Sequence, residues 1–175
     1  MAWIVKDSAN QQIDRRPEPY LTDKTKKQLE AEIIPRYATR QAALLPVVHM
    51  VQHDNGWVPH QALEEVAEFI GISYAEVVDA VTFYEEFQLK PVGKYLVQVC
   101  RSISCELCGY RDLSARVQEK LGILPGETTE DGKFTLVELE CLGSCDTAPV
   151  ALINEHLHEN LDWPALESLL DGLPD

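Results

Sequence analysis

KYLVQVCRSISC, Lys94 to Cys105, and FTLVELECLGSC, Phe134 to Cys145, decide the fold of this 175-residue chain. Each begins as an apolar run of strand-forming residues and ends in a pair of cysteines. In the second run Glu138 and Glu140 alternate with Val137 and Leu139, the period of a strand with one wet face. The spacing predicts strands over 94–100 and 134–140. Between them Leu113, Val117 and Leu121 share one face of a helix over 110–121, closed by Gly122. Asp131-Gly132 is hairpin-turn chemistry. A short strand follows at 150–154, then a helix capped by Asp162 with Pro164 in its first turn. The order β-α-β-β-α suggests a small α/β domain.

The cysteines read C-x₄-C (Cys100, Cys105) and C-x₃-C (Cys141, Cys145), each pair in a loop that follows a strand. Open α/β sheets bind their ligands at the carboxyl ends of strands. Four thiolates are the usual ligand set of a 2Fe–2S cluster, in which each iron takes two. On this reading Cys100 and Cys105 serve one iron, Cys141 and Cys145 the other. Ser102, Ser104, Gly143 and Ser144 are small, and small loop residues let N–H groups approach sulfur. Besides plain buried, inert cysteines, three other readings stay open at this point. Structural zinc tolerates both spacings. Cys100-x₄-Cys105-x₂-Cys108 with Cys141 matches plant-type ferredoxin spacing, which leaves Cys145 idle. A redox disulfide is the third, although no simple CxxC opens a helix. Cys108 itself reads as a small hydrophobe at the start of the 110–121 helix.

The N-terminal half has a helical period. Residues 1–22, with Pro17 and Pro19, read as an irregular arm. Segment 23–34 places Leu29, Ile33 and Ile34 on one side. Segment 36–53 follows, and Pro46 either kinks it or starts a new helix. Asn55-Gly56 is a turn. Leu63, Val66, Ala67 and Ile70 stripe a helix over 60–70, ended by Gly71. Ser73 and Glu76 form a capping box for a helix over 74–87. The fold class expected is α+β: a helical domain over 23–90, then an α/β domain over 91–175. The apolar stripes are extensive enough to suggest docking of the helical half on a partner.

With 29 acidic against 15 basic residues, the net charge of −14 argues against nucleic-acid binding. No apolar run nears the ~20 residues of a membrane span, and the N-terminus lacks a secretory pattern. A cytoplasmic setting with reduced thiols is expected.

GKYLVQVCRSISCELCGY, PGETTEDGKFTL and CLGSCDTAPVALIN, with NGWVP and VTFYEEF upstream, together resemble the 24 kDa 2Fe–2S subunit family of NADH:quinone oxidoreductase (complex I). The resemblance covers about residues 24–172. It implies that the α/β domain is thioredoxin-like, and it carries the ligand role onto Cys100, Cys105, Cys141 and Cys145 but not onto Cys108. It implies one 2Fe–2S cluster that exchanges single electrons with FMN in a partner flavoprotein subunit, where NADH binds. The chain itself shows no GxGxxG loop, consistent with hydride chemistry in that partner. Membrane association would be indirect, at the cytoplasmic side, through the complex. The same module occurs in NAD-linked hydrogenases and formate dehydrogenases.

Other residues have plainer readings. His49 falls on the inner stripe of the second helix, as a core histidine. His53 and His60 flank the NGWVP turn. His156 and His158 are an i, i+2 pair near the thiols. Trp57, Phe83, Tyr84 and Phe87 suit the helical core or a flavoprotein interface. Asp146 follows the last cysteine in a turn.

Overall fold

The computed structural model describes residues 15–174. The chain divides into two compact units between Pro91 and Val92, and each closes its own apolar core.

The first unit holds helices α1 (Asp23–Glu32), α2 (Leu44–Asn55), α3 (His60–Ile70) and α4 (Tyr74–Phe83). Thr22 starts α1 by accepting a hydrogen bond from the Thr25 N–H at 3.2 Å. The Ser73–Glu76 capping box forms in both directions. Leu29, Val47, Val48, Val51, Leu63, Val66, Val77 and Val81 are all buried among themselves. The stripes are therefore largely covered within the unit, contrary to the expectation that they need a partner. What remains outside is mainly Phe83, 77% exposed, with Tyr84 edge-on to its ring.

Three local expectations change and one resolves. Residues 1–14 of the expected arm lie outside the described residues. Residues 15–22 are irregular but belong to the core: Leu21 is fully buried, and its N–H donates to Glu65 at 2.7 Å. Segment 36–53 resolves in favour of a new helix at Pro46: 3₁₀ turns lie at Ile34–Arg36 and Gln41–Ala43, and α2 starts at Leu44 with Pro46 in its first turn, where no N–H is missed. The helix expected over 74–87 stops at Phe83, because a side chain takes over the backbone beyond it. The Gln52 amide donates to Glu86 O at 2.8 Å and accepts from the Gln88 N–H at 2.7 Å. His49 is exposed rather than core, paired with Glu86 at 3.1 Å and packed on the Phe87 ring.

The second unit is a four-stranded sheet in the order β2-β1-β3-β4. Its strands are β1 (Tyr95–Cys100), β2 (Phe134–Leu139), β3 (Ala151–Ile153) and β4 (His156–His158). β1 runs parallel to β2 and antiparallel to β3, and β3 is antiparallel to β4. The helices are α5 (Ile103–Leu107), α6 (Tyr110–Leu121) and α7 (Trp163–Asp171). α6 packs on β1, β2 and α7. Val97, Val99, Val117, Leu136, Leu166 and Leu170 form the centre of this core. Two elements exceed the expected β-α-β-β-α order. One is α5, a single turn or so inside the first cysteine loop. The other is β4, whose HLH sequence offers one apolar residue. It is held by a two-residue turn in which Asn154 takes a left-handed φ of 52°. The Asn154 side chain accepts from the Leu96 N–H at 2.8 Å.

Gly93 enters β1 tightly against the start of β2. A Cβ there would lie 2.8 Å from Phe134 C and 3.0 Å from both Gly132 O and Lys133 C. All three are backbone atoms of one turn, which cannot move singly. Gly93→Ala is expected to destabilise this unit by about 1–3 kcal/mol. A thermal melt with an unchanged midpoint would refute that.

Candidate metal centre

The parallel pair of strands explains how the cysteines meet. Cys100 ends β1 in register with Leu139, and Cys141 lies two residues beyond Leu139. Both loops thus leave the same edge of the sheet. Arg101 N–H donates to Leu139 O at 2.8 Å, which holds the two exits together. An Arg101–Glu140 ion pair spans them on the outside.

The first loop turns at once into α5, which carries Cys105 back inward. Cys100 and Cys105 are each 2% exposed, and burial, then Cys100 beside it, raises the pKa of the Cys105 thiol. The second loop stays at the surface, where Cys141 and Cys145 are exposed and their sulfurs stand 3.9 Å apart. Gly143 makes the bend with a φ of 80°, a conformation cheap only for glycine. That turns its N–H onto Cys141 Sγ at 3.4 Å. The loops also act on each other: Ser102 acts to lower the Cys141 thiol and Ser104 to lower the Cys145 thiol.

These contacts set the acidities. The Gly143 N–H, chiefly, lowers the Cys141 thiol below its usual range, helped by Cys145 and Ser102. Cys145 is raised, mainly because it donates to Cys141 and faces its charge. The first proton is lost on the Cys141 side, and the one that remains on Cys145 is held by the thiolate beside it. Burial, then Cys100, pushes Cys105 up to about 11, while the Val150 N–H opposes. Cys105 also feels Cys145, and Cys145 feels Cys100, so all four thiols lie within one electrostatic neighbourhood. Cys108 is not among the groups acting on Cys105, Cys141 or Cys145. It caps the C-terminus of α5 and is exposed. That corrects its reading as a small hydrophobe at a helix start, because α5 intervenes and α6 begins only at Tyr110.

In the reduced, metal-free chain the order of alkylation by iodoacetamide at about pH 8 follows thiolate fraction and access. Cys141 is expected to react before Cys105. The Cys105 rate should climb only as pH approaches 11. Peptide mapping over time checks this, and the reverse order would sink it.

The donor set fits a dinuclear iron–sulfur cluster. The thiols come as two pairs, and such a cluster takes two thiolates per iron. Two thiolates on one tetrahedral metal at about 2.3 Å stand about 3.8 Å apart, close to the 3.9 Å between Cys141 and Cys145. His156 and His158 sit on β4. They line a cavity of about 180 Å³ with Tyr95, Ile153 and Leu169.

The second loop has a further support that the sequence did not suggest. Glu159 accepts from the hydroxyls of Ser144 at 2.5 Å and Thr147 at 2.7 Å. These two bonds, Ser144 first, hold its carboxyl below the usual range. The signal was out of reach because it depends on β4, which returns the chain to the loop. Asp146 lies in the 3₁₀ turn Cys145–Thr147 and is exposed.

The family profile for thioredoxin-like 2Fe–2S ferredoxins matches residues 30–174. An NADH-quinone oxidoreductase subunit of Rickettsia felis is 43% identical over 152 residues, 85% of this chain and 91% of its own length. Its namesake in Rhizobium meliloti is 41% identical over 78% of this chain and 82% of its own. Subunit 2 of the Thermus thermophilus NADH-quinone oxidoreductase is 43% identical over 77% of this chain and 75% of its own. Among solved structures, an air-oxidised NAD+-reducing NiFe hydrogenase aligns with a TM-score of 0.65 at 25% identity. The alignment covers 77% of this chain but only 24% of the hydrogenase chain. No helix among the described residues is long and apolar enough to cross a membrane. By its profile, its relatives and its paired-cysteine sheet edge, the chain belongs to the thioredoxin-like 2Fe–2S ferredoxin family.

Proposed function

We propose that Cys100, Cys105, Cys141 and Cys145 ligate one 2Fe–2S cluster, and that the chain is the electron-transfer subunit of a complex I-type NADH dehydrogenase. The observation that carries this is the meeting of two thiol pairs at one edge of the β1–β2 pair, in a chain whose relatives are NADH-quinone oxidoreductase subunits. Bound there, the cluster supplies a one-electron store beside a two-electron flavin. The protein's part is to hold four thiolates ready. The Gly143 N–H and the Ser102 and Ser104 hydroxyls support negative charge on sulfur. Burial of Cys100 and Cys105 keeps water from one side.

The proposed partner is a flavoprotein subunit that holds FMN and binds NADH, with the complex at the cytoplasmic side of the membrane. The second unit is the proposed cluster domain, and the first a helical domain whose exposed Phe83 and Tyr84 suit that partner's surface. The hydrogenase likeness favours a second reading, the same module in an NAD-linked hydrogenase.

Anaerobic purification tests the proposal. The protein should be red-brown, carry iron, and show a one-electron EPR signal on reduction. It should co-purify with a flavin-containing subunit. A colourless, zinc-loaded protein would refute the cluster. A coloured protein that never retains a flavoprotein would refute the partner.

A further inference from the structure

The second cysteine loop is exposed, yet its shape is fixed from outside itself. Ser144 and Thr147 flank Cys145, and both hydroxyls converge on one oxygen of Glu159, at 2.5 Å and 2.7 Å. The hydroxyls also touch each other at 2.7 Å. The same segment clasps the loop through its backbone. Asn160 N–H donates to Thr147 O at 2.7 Å, and Leu161 N–H to Pro149 O at 3.0 Å. Leu161 is buried and anchors the clasp in the core. Asn160 turns the chain for this with a φ of 50°, which Asn tolerates better than most residues.

A surface carboxylate loses little by staying in water. Its use here, on the two hydroxyls either side of a proposed ligand, gives charge-assisted bonds, the stronger kind. The backbone clasp already tethers the segment, so the carboxylate does something the clasp does not. It fixes the 3₁₀ turn Cys145–Thr147 and places one negative charge on the two hydroxyls that flank Cys145.

We propose that Glu159 is a positioning residue for the cluster, acting through Ser144 and Thr147 on the Cys141–Cys145 loop. This rests on the ligand reading given above. Its charge opposes an added electron nearby, and its acceptor oxygen holds the loop in the shape that presents Cys145. The two roles separate in Glu159→Gln, which keeps an acceptor oxygen and loses the charge, and Glu159→Ala, which loses both.

The test uses full-length, cluster-loaded protein. In E159A, iron loss to an anaerobic chelator should speed up about tenfold or more, the usual cost of removing an outer partner of a ligand. In E159Q it should stay near the wild-type rate, while the midpoint potential moves upward. E159Q also keeps the proposal testable if E159A folds poorly. Because Glu159 acts through the two hydroxyls, E159A should add no further acceleration in a S144A/T147A background. A cluster-loaded E159A equal to wild type in loss rate and midpoint overturns the proposal alone. So does full additivity in the S144A/T147A background. A wild-type protein without iron overturns the ligand reading and this proposal with it.

Discussion

Cys145→Ser is expected to abolish or severely weaken cluster binding, whereas Cys108→Ser should leave the iron content and visible spectrum unchanged. The two residues decide between rival ligand sets. A plant-type set would use Cys100, Cys105, Cys108 and Cys141 and leave Cys145 free. The geometry favours the paired set. Cys145 stands 3.9 Å from Cys141, sulfur to sulfur. Cys108 is carried outward at the end of α5, and its N–H caps that helix on Ser104 O at 3.1 Å. To reach the site it would have to unwind α5, which also places Cys105. Serine is nearly the size of cysteine but a poor ligand for iron, so the change tests ligation more than packing. Cys100→Ser, Cys105→Ser and Cys141→Ser should behave like Cys145→Ser. Iron per chain and the visible spectrum of each variant are the readouts. Loss in Cys108→Ser together with retention in Cys145→Ser would reverse the assignment.

Much of the second unit was legible because its signals are local and agree. The apolar runs before Cys100 and Cys141, the Leu113–Val117–Leu121 stripe and the Asp162 cap each predict an element that forms. The parallel β1–β2 pairing was not among the expectations, yet it is what brings the two cysteine loops together. Strand runs alone do not encode direction of pairing. What the sequence hid depends on partners distant in the chain. β4 forms because β3 offers it an edge, not because HLH prefers a strand. α4 ends at Phe83 because Gln52, 34 residues before Glu86, captures the backbone there. Periodicity is blind to such a bond.

The histidines show the same limit. His49 falls on the apolar stripe by spacing, but the stripe is wider than the buried seam. At its margin the ring covers Phe87 and reaches Glu86. Glu159 had no signal at all. A glutamate between two expected elements reads as solvated, and only the β3–β4 hairpin places it against Ser144 and Thr147.

Leu136→Ala should cost more than any surface change and should reach the cluster. Leu136 is fully buried in the middle of β2, opposite Val97 of β1. Removing its side chain leaves a cavity among residues that cannot all collapse, at a cost of about 3 kcal/mol. In a unit of this size that lowers the melting midpoint by more than about 10 °C. The β1–β2 pair holds the exits of both cysteine loops, so a loosened pair should also release iron faster to a chelator. Leu63→Ala is the matched control. Leu63 is as buried, but in the core of the first unit, so a similar loss of stability there should leave iron retention near wild type. Differential scanning calorimetry and chelator kinetics on both variants read the two effects apart. Equal acceleration of iron loss by both would mean that the cluster senses overall stability. Faster loss in Leu136→Ala alone would place its support in the parallel strand pair.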